Sequence, residues 1–209
     1  VLHPDNAEAP EQAGGKAAAL ASLHAASLPI PAWFVISPDA FTASLSIEQR
    51  MAFATACAGS DNTTIQTILA SVRIADHIIE QLEQAIATLC QHGEYVAVRS
   101  SALEEDGTRH SFAGQLDTFL FVPPEQVVQA ILAVWRSGFS ERMLAYRREH
   151  NLTISPMPPA VLVQLMIDAD ASGVAFSADP VTGQRGIAVV SALYGLGTAL
   201  VSGECDADT

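Results

Sequence analysis

The apolar residues of this chain follow two spacings, continuous runs and repeats of three to four residues. Continuous apolar runs bounded by turn-forming residues are typical of buried strands. Such runs predict strands at residues 33–36, 95–98, 117–122, 160–167, 173–177 and 186–190. Helical spacing predicts helices at residues 15–26, 124–136 and 140–150, and a further helix beginning after Ser37 and Pro38. The chain is therefore expected to combine helices with strands along its whole length.

The longest helical pattern extends over residues 63–89. Its apolar positions are Ile65, Ile68, Leu69, Val72, Ile79, Leu82, Ile86 and Leu89. The length of this pattern predicts a break near residues 73–76. Thr63 and Gln66 have the spacing of a capping box, and Ser37 is predicted to cap the helix that Pro38 begins. We expect this stretch to be structural.

Composition restricts the class of protein. The chain has 209 residues, of which 49% are hydrophobic, so it can form one substantial core or two small lobes. A formal net charge of -13 opposes binding to nucleic acid, which requires a clustered basic surface. No apolar run approaches the length of a membrane span, and the first ten residues lack the features of a signal peptide. A cytoplasmic protein without nucleic-acid or membrane partners is the expectation.

Cysteine, histidine and acidic residues predict no metal site in this chain. The three cysteines, Cys57, Cys90 and Cys205, are far apart and lack any paired spacing. The six histidines form no grouping with metal-ligand spacing. The acidic triplet at residues 104–106 lies in a glycine-bearing loop and is interpreted as solvated. Neither a disulfide framework nor a metal-ligand set is predicted.

The clearest candidate chemistry lies between residues 96 and 122. A predicted strand delivers Arg99, whose planar guanidinium can hold a phosphate through two parallel hydrogen bonds. Ser100 and Ser101 add hydroxyl groups, and Gly107 and Gly114 allow backbone amides to point toward an anion. These residues alone leave two interpretations open, a phosphate site or an arginine in a salt bridge beside an acidic loop.

A second candidate is the sequence Gly14-Gly15-Lys16 at the start of a predicted helix. Unpaired amides and the helix dipole favour an anion at such a position. The sequence is not a phosphate-binding P-loop, because Pro10 stands where that motif begins with glycine and Ala17 follows the lysine. Lys16 by itself is also compatible with a solvated surface lysine.

Four segments in collinear order resemble one enzyme family. They are AGGKAAALASLHAASLPIPAWFVISPDAF, VRSSALEEDGTRHSFAGQLDTFLFV, VLVQLMIDADASGVAFSADPVTGQRG and GLGTALVSGECDADT. Together they closely resemble phosphoenolpyruvate synthases (pyruvate, water dikinases) and their relatives, the pyruvate phosphate dikinases and rifampicin phosphotransferases. The resemblance covers nearly the whole chain.

The resemblance implies an α+β, ATP-grasp-like nucleotide-binding domain that is incomplete, with ATP and Mg²⁺ as cofactors. It places Lys16 and Arg99 on the polyphosphate, with Arg99 as the catalytic residue. It places Gly114, Gln115 and Thr118 in a phosphate-covering loop, and Gln164, Leu165, Met166 and Ile167 on the strand beside adenine. Without the resemblance, this last strand reads as an ordinary core strand.

The chain also departs from the family pattern. Thr198 replaces a glutamate that the family usually carries, and Ser191 stands near a second acidic position. The metal-binding carboxylates and the phosphohistidine domain of the family would lie beyond Thr209. The chain is therefore expected to be a truncated amino-terminal ATP-binding domain, residues 1–209, with lobe boundaries near residues 115 and 190.

The resemblance implies a function for the whole enzyme. Phosphate would pass from ATP through a phosphohistidine to pyruvate, giving phosphoenolpyruvate, AMP and phosphate. Pyruvate or another small-molecule acceptor would bind through domains absent from this chain, which alone is expected to be inactive. Two alternatives stay open, a rifampicin-phosphotransferase-like enzyme or other dikinase with a different acceptor, and a non-catalytic module that kept the fold.

Overall fold

The structure is a computed structural model that describes residues 1–102, 116–150, 152, 154–155 and 157–202. The chain divides into two compact units, Val1–Met166 and Ile167–Thr209. The lobe boundaries predicted near residues 115 and 190 refer to the lobes of a complete nucleotide-binding domain. They remain predictions. No helix in the described ranges is both long and apolar enough to cross a membrane.

The first unit is built on a four-stranded antiparallel sheet. Its strands are β1 (Trp33–Ile36), β2 (Val96–Ser101), β3 (Thr118–Val122) and β4 (Ala160–Leu165), in the order β1-β4-β2-β3. β4 and β2 are central and pair over six positions, Val96 with Leu165 through Ser101 with Ala160. Their continuous apolar sequences fit strands that are covered on both faces.

Helices surround this sheet. They are α1 (Pro10–Ala25), α2 (Asp39–Ala43), α3 (Ile47–Gly59), α4 (Asn62–Ser71), α5 (Asp76–Leu89), α6 (Val127–Ser137) and α7 (Glu141–Glu149), with short 3-10 helices at Pro4–Asn6 and Pro124–Gln126. One sheet face carries Phe34, Val98 and Val163 into a large core that includes residues of α2 to α6. The other face, which we call the α1 face, carries Trp33, Val35, Ala160 and Leu162 against Ala7, Ala13, Ala17 and Ala21. Alanine allows α1 to approach the sheet closely.

Several predicted elements are confirmed, whereas two predicted caps are wrong. The break in the long helical pattern lies between α4 and α5, as predicted. The cap of α4 is not the predicted Thr63–Gln66 pair, because the Asp61 carboxylate accepts from the Thr64 amide at 3.1 Å. Gln66 instead donates to the Phe139 carbonyl at 2.7 Å. Ser37 does not cap α2, whose preceding residue is Pro38.

The second unit contains a two-stranded antiparallel hairpin and a short helix. The strands are β5 (Ala171–Ala178) and β6 (Arg185–Tyr194), both longer than predicted, and α8 spans Thr198–Ser202. In the turn between the strands, the Asp179 carboxylate accepts from the amides of Val181 at 2.8 Å and Thr182 at 3.2 Å. Helices combined with antiparallel sheets confirm the predicted α+β class.

Candidate functional site

Arg99 lies in the middle of the sheet and points to the α1 face. It pairs with Leu162 on β4 and with Thr118 on β3. Residues directly opposite each other on antiparallel strands share a face, and Leu162 belongs to the cluster beneath α1. Arg99 and Thr118 therefore stand side by side on the α1 face, with Arg99 half-buried and Thr118 exposed.

The guanidinium of Arg99 carries a buried donor. Its Nε atom is inaccessible to solvent and has no hydrogen-bond partner among the described residues. Within the same ranges no ion pair to Arg99 is found, so the salt-bridge interpretation has no support there. Leaving a buried charged donor without a partner is costly. An anion that accepts from this side chain would remove that cost.

Lys16 reaches the same strand from α1. Its Nζ atom donates to the carbonyl oxygen of Ser100 at 3.3 Å, one residue after Arg99. The lysine is half-buried. The structure therefore places the ammonium group of Lys16 at the strand that carries Arg99.

The helix start around Lys16 is docked onto the end of β2. The Gly15 amide donates to the Ala102 carbonyl at 3.2 Å, and the Ala17 amide donates to Ser101 Oγ at 3.1 Å. Both of these amides already donate to protein oxygens, so an anion at this helix start would not bind through them. Ser101 is fully buried and acts as a cap for the helix.

We call residues 14–17 and 100–102 the helix–strand junction. Gly14 interrupts α1 with φ of +75°. A Cβ added there would lie 1.7 Å from the Ser101 carbonyl oxygen, so only glycine permits this approach. The glycine pair before Lys16 was the sequence signal for this contact, but its partner on β2 could not be read from the sequence.

The four residues predicted to contact adenine are divided by the structure. Gln164 pairs with Ala97 and Trp33, so it shares the α1 face with Arg99. Leu165 points the other way and packs against the large core. The Met166 amide donates to the Tyr95 carbonyl at 2.9 Å, and Ile167, 56% exposed, begins the second unit.

Gly114 and Gln115, predicted for the phosphate-covering loop, lie outside the described residues, as do Gly107 and the acidic triplet at residues 104–106. Thr118 is described and starts β3. β3 is irregular, because its register with β2 shifts between Val96 and Val98 and Phe121 has φ of +53°. The sequence pattern gave no sign of this bulge.

The electrostatic character of the described site is cationic. Across the described ranges, no group of three or more histidine, cysteine, aspartate or glutamate side chains could hold a metal ion. Mg²⁺ requires oxygen ligands in octahedral geometry. The residues on the α1 face therefore fit an anion and do not supply a set of Mg²⁺ ligands.

A cavity of about 240 Å³ opens beside the junction. Its lining includes Gly14, Ser101, Met143 and Arg147, and is more apolar than polar. Lys16, Arg99 and Thr118 are not part of that lining. The candidate phosphate site is therefore the α1 face around Arg99, and this cavity lies beside it.

Comparison with known proteins identifies similar sequences. Residues 10–209 match the family described as pyruvate phosphate dikinase, AMP/ATP-binding domain. The chain is 38% identical over 212 residues to the prodigiosin synthesizing transferase PigC of Serratia marcescens, covering 100% of this chain and 23% of that protein.

Two further relatives are similar to this chain over most of its length. A rifampicin phosphotransferase of Streptomyces sviceus is 37% identical, covering 93% of this chain and 24% of that protein. A probable phosphoenolpyruvate synthase of Methanothermobacter thermautotrophicus is 35% identical, covering 94% of this chain and 31% of that protein. The chain thus spans between 23% and 31% of the length of these relatives.

Proposed function

Because this chain belongs to the family of pyruvate phosphate dikinase AMP/ATP-binding domains, we propose that its α1 face holds the phosphates of ATP. The observation that carries the proposal is the buried Arg99 Nε without a partner in the described ranges. Lys16 Nζ, 3.3 Å from the Ser100 carbonyl on the same strand, supports it.

Each residue has a distinct role in this proposal. Arg99 provides a planar two-point contact to phosphate oxygens, which is why it is the proposed catalytic residue. Lys16 adds a point charge, and the exposed hydroxyl of Thr118 lies beside Arg99 on β3. Cations held at fixed positions stabilise the charge that spreads over a phosphoryl group during its transfer. Gly114 and Gln115 are proposed to cover the phosphates.

Adenine is proposed to lie against residues 164–167. Gln164 is the member of this set that shares a face with Arg99, so it is the proposed contact nearest to the phosphates. The Met166 amide already donates to Tyr95, so adenine must find its hydrogen-bond donor elsewhere in the segment. Leu165 supports the strand from the core side.

We propose that the whole protein transfers phosphate from ATP through a phosphohistidine to pyruvate. The chain covers 31% or less of the relatives described above, so the acceptor would bind outside it. The 37% identity to a rifampicin phosphotransferase favours a different acceptor as the second candidate. AMP release by the whole protein, measured with pyruvate and with rifampicin, distinguishes the two. Release with neither, despite ATP binding, would point to another acceptor or to the non-catalytic alternative.

A labelling experiment tests the phosphate site directly. Lys16 is the only lysine of the 209 residues. An ATP analogue with a lysine-acylating group on its terminal phosphate should therefore modify Lys16 in the whole protein, and excess ATP should prevent the modification. Mass spectrometry of the peptide containing Lys16 gives the readout. Labelling that excess ATP does not reduce, or labelling confined to other parts of the protein, would contradict the proposal.

A further inference from the structure

Three hydrogen bonds hold the segment of α1 that follows Gly14 against the end of β2. They run from the Gly15 amide to Ala102 O at 3.2 Å, from the Ala17 amide to Ser101 Oγ at 3.1 Å, and from Lys16 Nζ to Ser100 O at 3.3 Å. Only the second uses a side chain of β2. Ser101, fully buried, is the β2 residue whose side chain takes part in these three hydrogen bonds.

Ser101 is also connected to Arg99 and Lys16, the two cations that are proposed to bind phosphate. It lies two positions after Arg99 on the same face of β2, since its partner Ala160 and the Arg99 partner Leu162 belong to one cluster. Its hydroxyl accepts from the amide of Ala17, the residue after Lys16. The Ser101 hydroxyl, together with the backbone hydrogen bond from Gly15 to Ala102, therefore fixes the backbone of Lys16 relative to the strand of Arg99.

We propose that Ser101 is a positioning residue for ATP binding that acts through Lys16. Lysine is a flexible side chain, and its ammonium group stays near a phosphate only if its backbone is fixed. The Ser101 hydroxyl supplies that fixation across a contact so close that residue 14 must be glycine. This inference rests on the proposed phosphate site. It differs from an ordinary helix cap, which would affect stability alone.

Ser46 offers a matched control. It caps α3 in the same unit, and its Oγ accepts from the Gln49 amide at 3.1 Å, the same distance as at Ser101. Ser101→Ala and Ser46→Ala therefore each remove one hydroxyl that caps a helix. We expect Ser101→Ala to weaken ATP affinity of the whole protein roughly three- to tenfold. Ser46→Ala should leave that affinity unchanged, as calorimetry with ATP would show.

A double-mutant cycle isolates the route through Lys16. In a Lys16→Met background, Ser101→Ala should produce no further loss of ATP affinity. An equal loss in both backgrounds, or an unchanged affinity in Ser101→Ala alone, would overturn the inference. If Ser101→Ala does not fold, Ser101→Cys carries the same test with a weaker acceptor of similar size. The two single variants separate this inference from the proposed phosphate site.

If Lys16→Met leaves ATP affinity unchanged, the proposed phosphate role of Lys16 fails, and the inference fails with it. If Lys16→Met lowers ATP affinity but Ser101→Ala does not, only the positioning role of Ser101 is overturned.

Discussion

Gly14 and Gly93 both have a positive φ but lie in different surroundings. Gly14 has φ of +75° and Gly93 has φ of +79°. A Cβ at Gly14 would collide with Ser101 at 1.7 Å, whereas a Cβ at Gly93 would meet nothing within 4 Å. The two positions share a positive φ, and only Gly14 adds a close approach.

We predict that Gly14→Ala destabilises the protein more than Gly93→Ala. The Gly93 variant should lose about 1 kcal/mol, because alanine tolerates the left-handed region poorly. The Gly14 variant should lose at least ~2 kcal/mol more, because the junction must open to admit the methyl group. Urea unfolding of both variants gives the comparison. Equal losses would show that the close contact is absent in solution.

Cys57 should be an inert thiol. It is 3% exposed, and burial raises the pKa of its thiol to about 11. An ordinary thiol has a pKa near ~8.5, so at pH 8 the folded protein should hold at least ~100-fold less Cys57 thiolate. With Cys90 and Cys205 replaced by serine, labelling at pH 8 should be at least that much slower in the folded state than in urea. Rapid labelling of the folded protein would contradict the burial.

The same pKa shift has a consequence for stability. The folded state keeps the proton of Cys57 that the unfolded chain loses, so the contribution of this thiol to stability is complete below pH ~8.5. It declines as pH rises toward about 11. A Cys57→Ala variant should therefore lose less stability than the unaltered protein between pH 8.5 and 10.

At the scale of elements, α4 is capped by a carboxylate and α3 by a hydroxyl. Asp61 accepts from the Thr64 amide at 3.1 Å and from Thr64 Oγ1 at 2.7 Å, and these hydrogen bonds lower the pKa of Asp61. Ser46 and Gln49 form the capping box of α3. The first cap depends on an ionised group and the second does not.

The two caps should therefore respond differently to pH. A carboxyl group with a lowered pKa contributes to stability above the ordinary aspartate pKa of about 3.9 and loses that contribution as pH falls further. Asp61→Ala should lower the midpoint of urea unfolding at pH 7 and lower it less at pH 3. Ser46→Ala should lower the midpoint equally at both values. A pH-independent effect of Asp61→Ala would contradict this account of the cap.

The sequence pattern predicted elements well where apolar positions are buried. β1 and the break between α4 and α5 follow directly from that pattern, and β4 follows from it except that it ends at Leu165, two residues before its predicted end. α3 had no prediction, because its apolar residues Ile47 and Met51 are 75% and 68% exposed and obscure the helical period. β2 continues three residues past its predicted end, because Ser100 and Ser101 are buried polar residues.

The candidate site, too, could be predicted from the sequence only in part. Lys16 and Arg99 could be proposed from their charge and their neighbouring motifs. The role of Ser101 depends on a contact between residues 84 positions apart, and no local pattern carries such a contact. The placement of Gln164 and Leu165 on opposite faces follows from strand alternation, whereas Met166 and Ile167 lie beyond the end of β4 at Leu165.

In the whole molecule, buried apolar residues are distributed unevenly between the two units. All members of the two core clusters lie in the first unit, and none of the described residues 167–202 belongs to either. Backbone amides that lack a buried cluster around them exchange with solvent more readily. We expect amide hydrogen exchange in the 209-residue chain to be faster in β5 and β6 than in β2 and β4. Equal protection in both sheets would contradict this distribution of stability.

We propose that Arg99 holds phosphate through its planar guanidinium. The most direct test is calorimetry of ATP binding by the whole protein with Arg99→Lys, because lysine keeps the charge but lacks the buried Nε donor and the two-point contact. Arg73→Lys, at an exposed position on the same unit, is the matched control. The account predicts that Arg99→Lys weakens ATP binding about tenfold or more and that Arg73→Lys does not change it. Equal ATP affinity in the Arg99→Lys variant and the unaltered protein would contradict the claim.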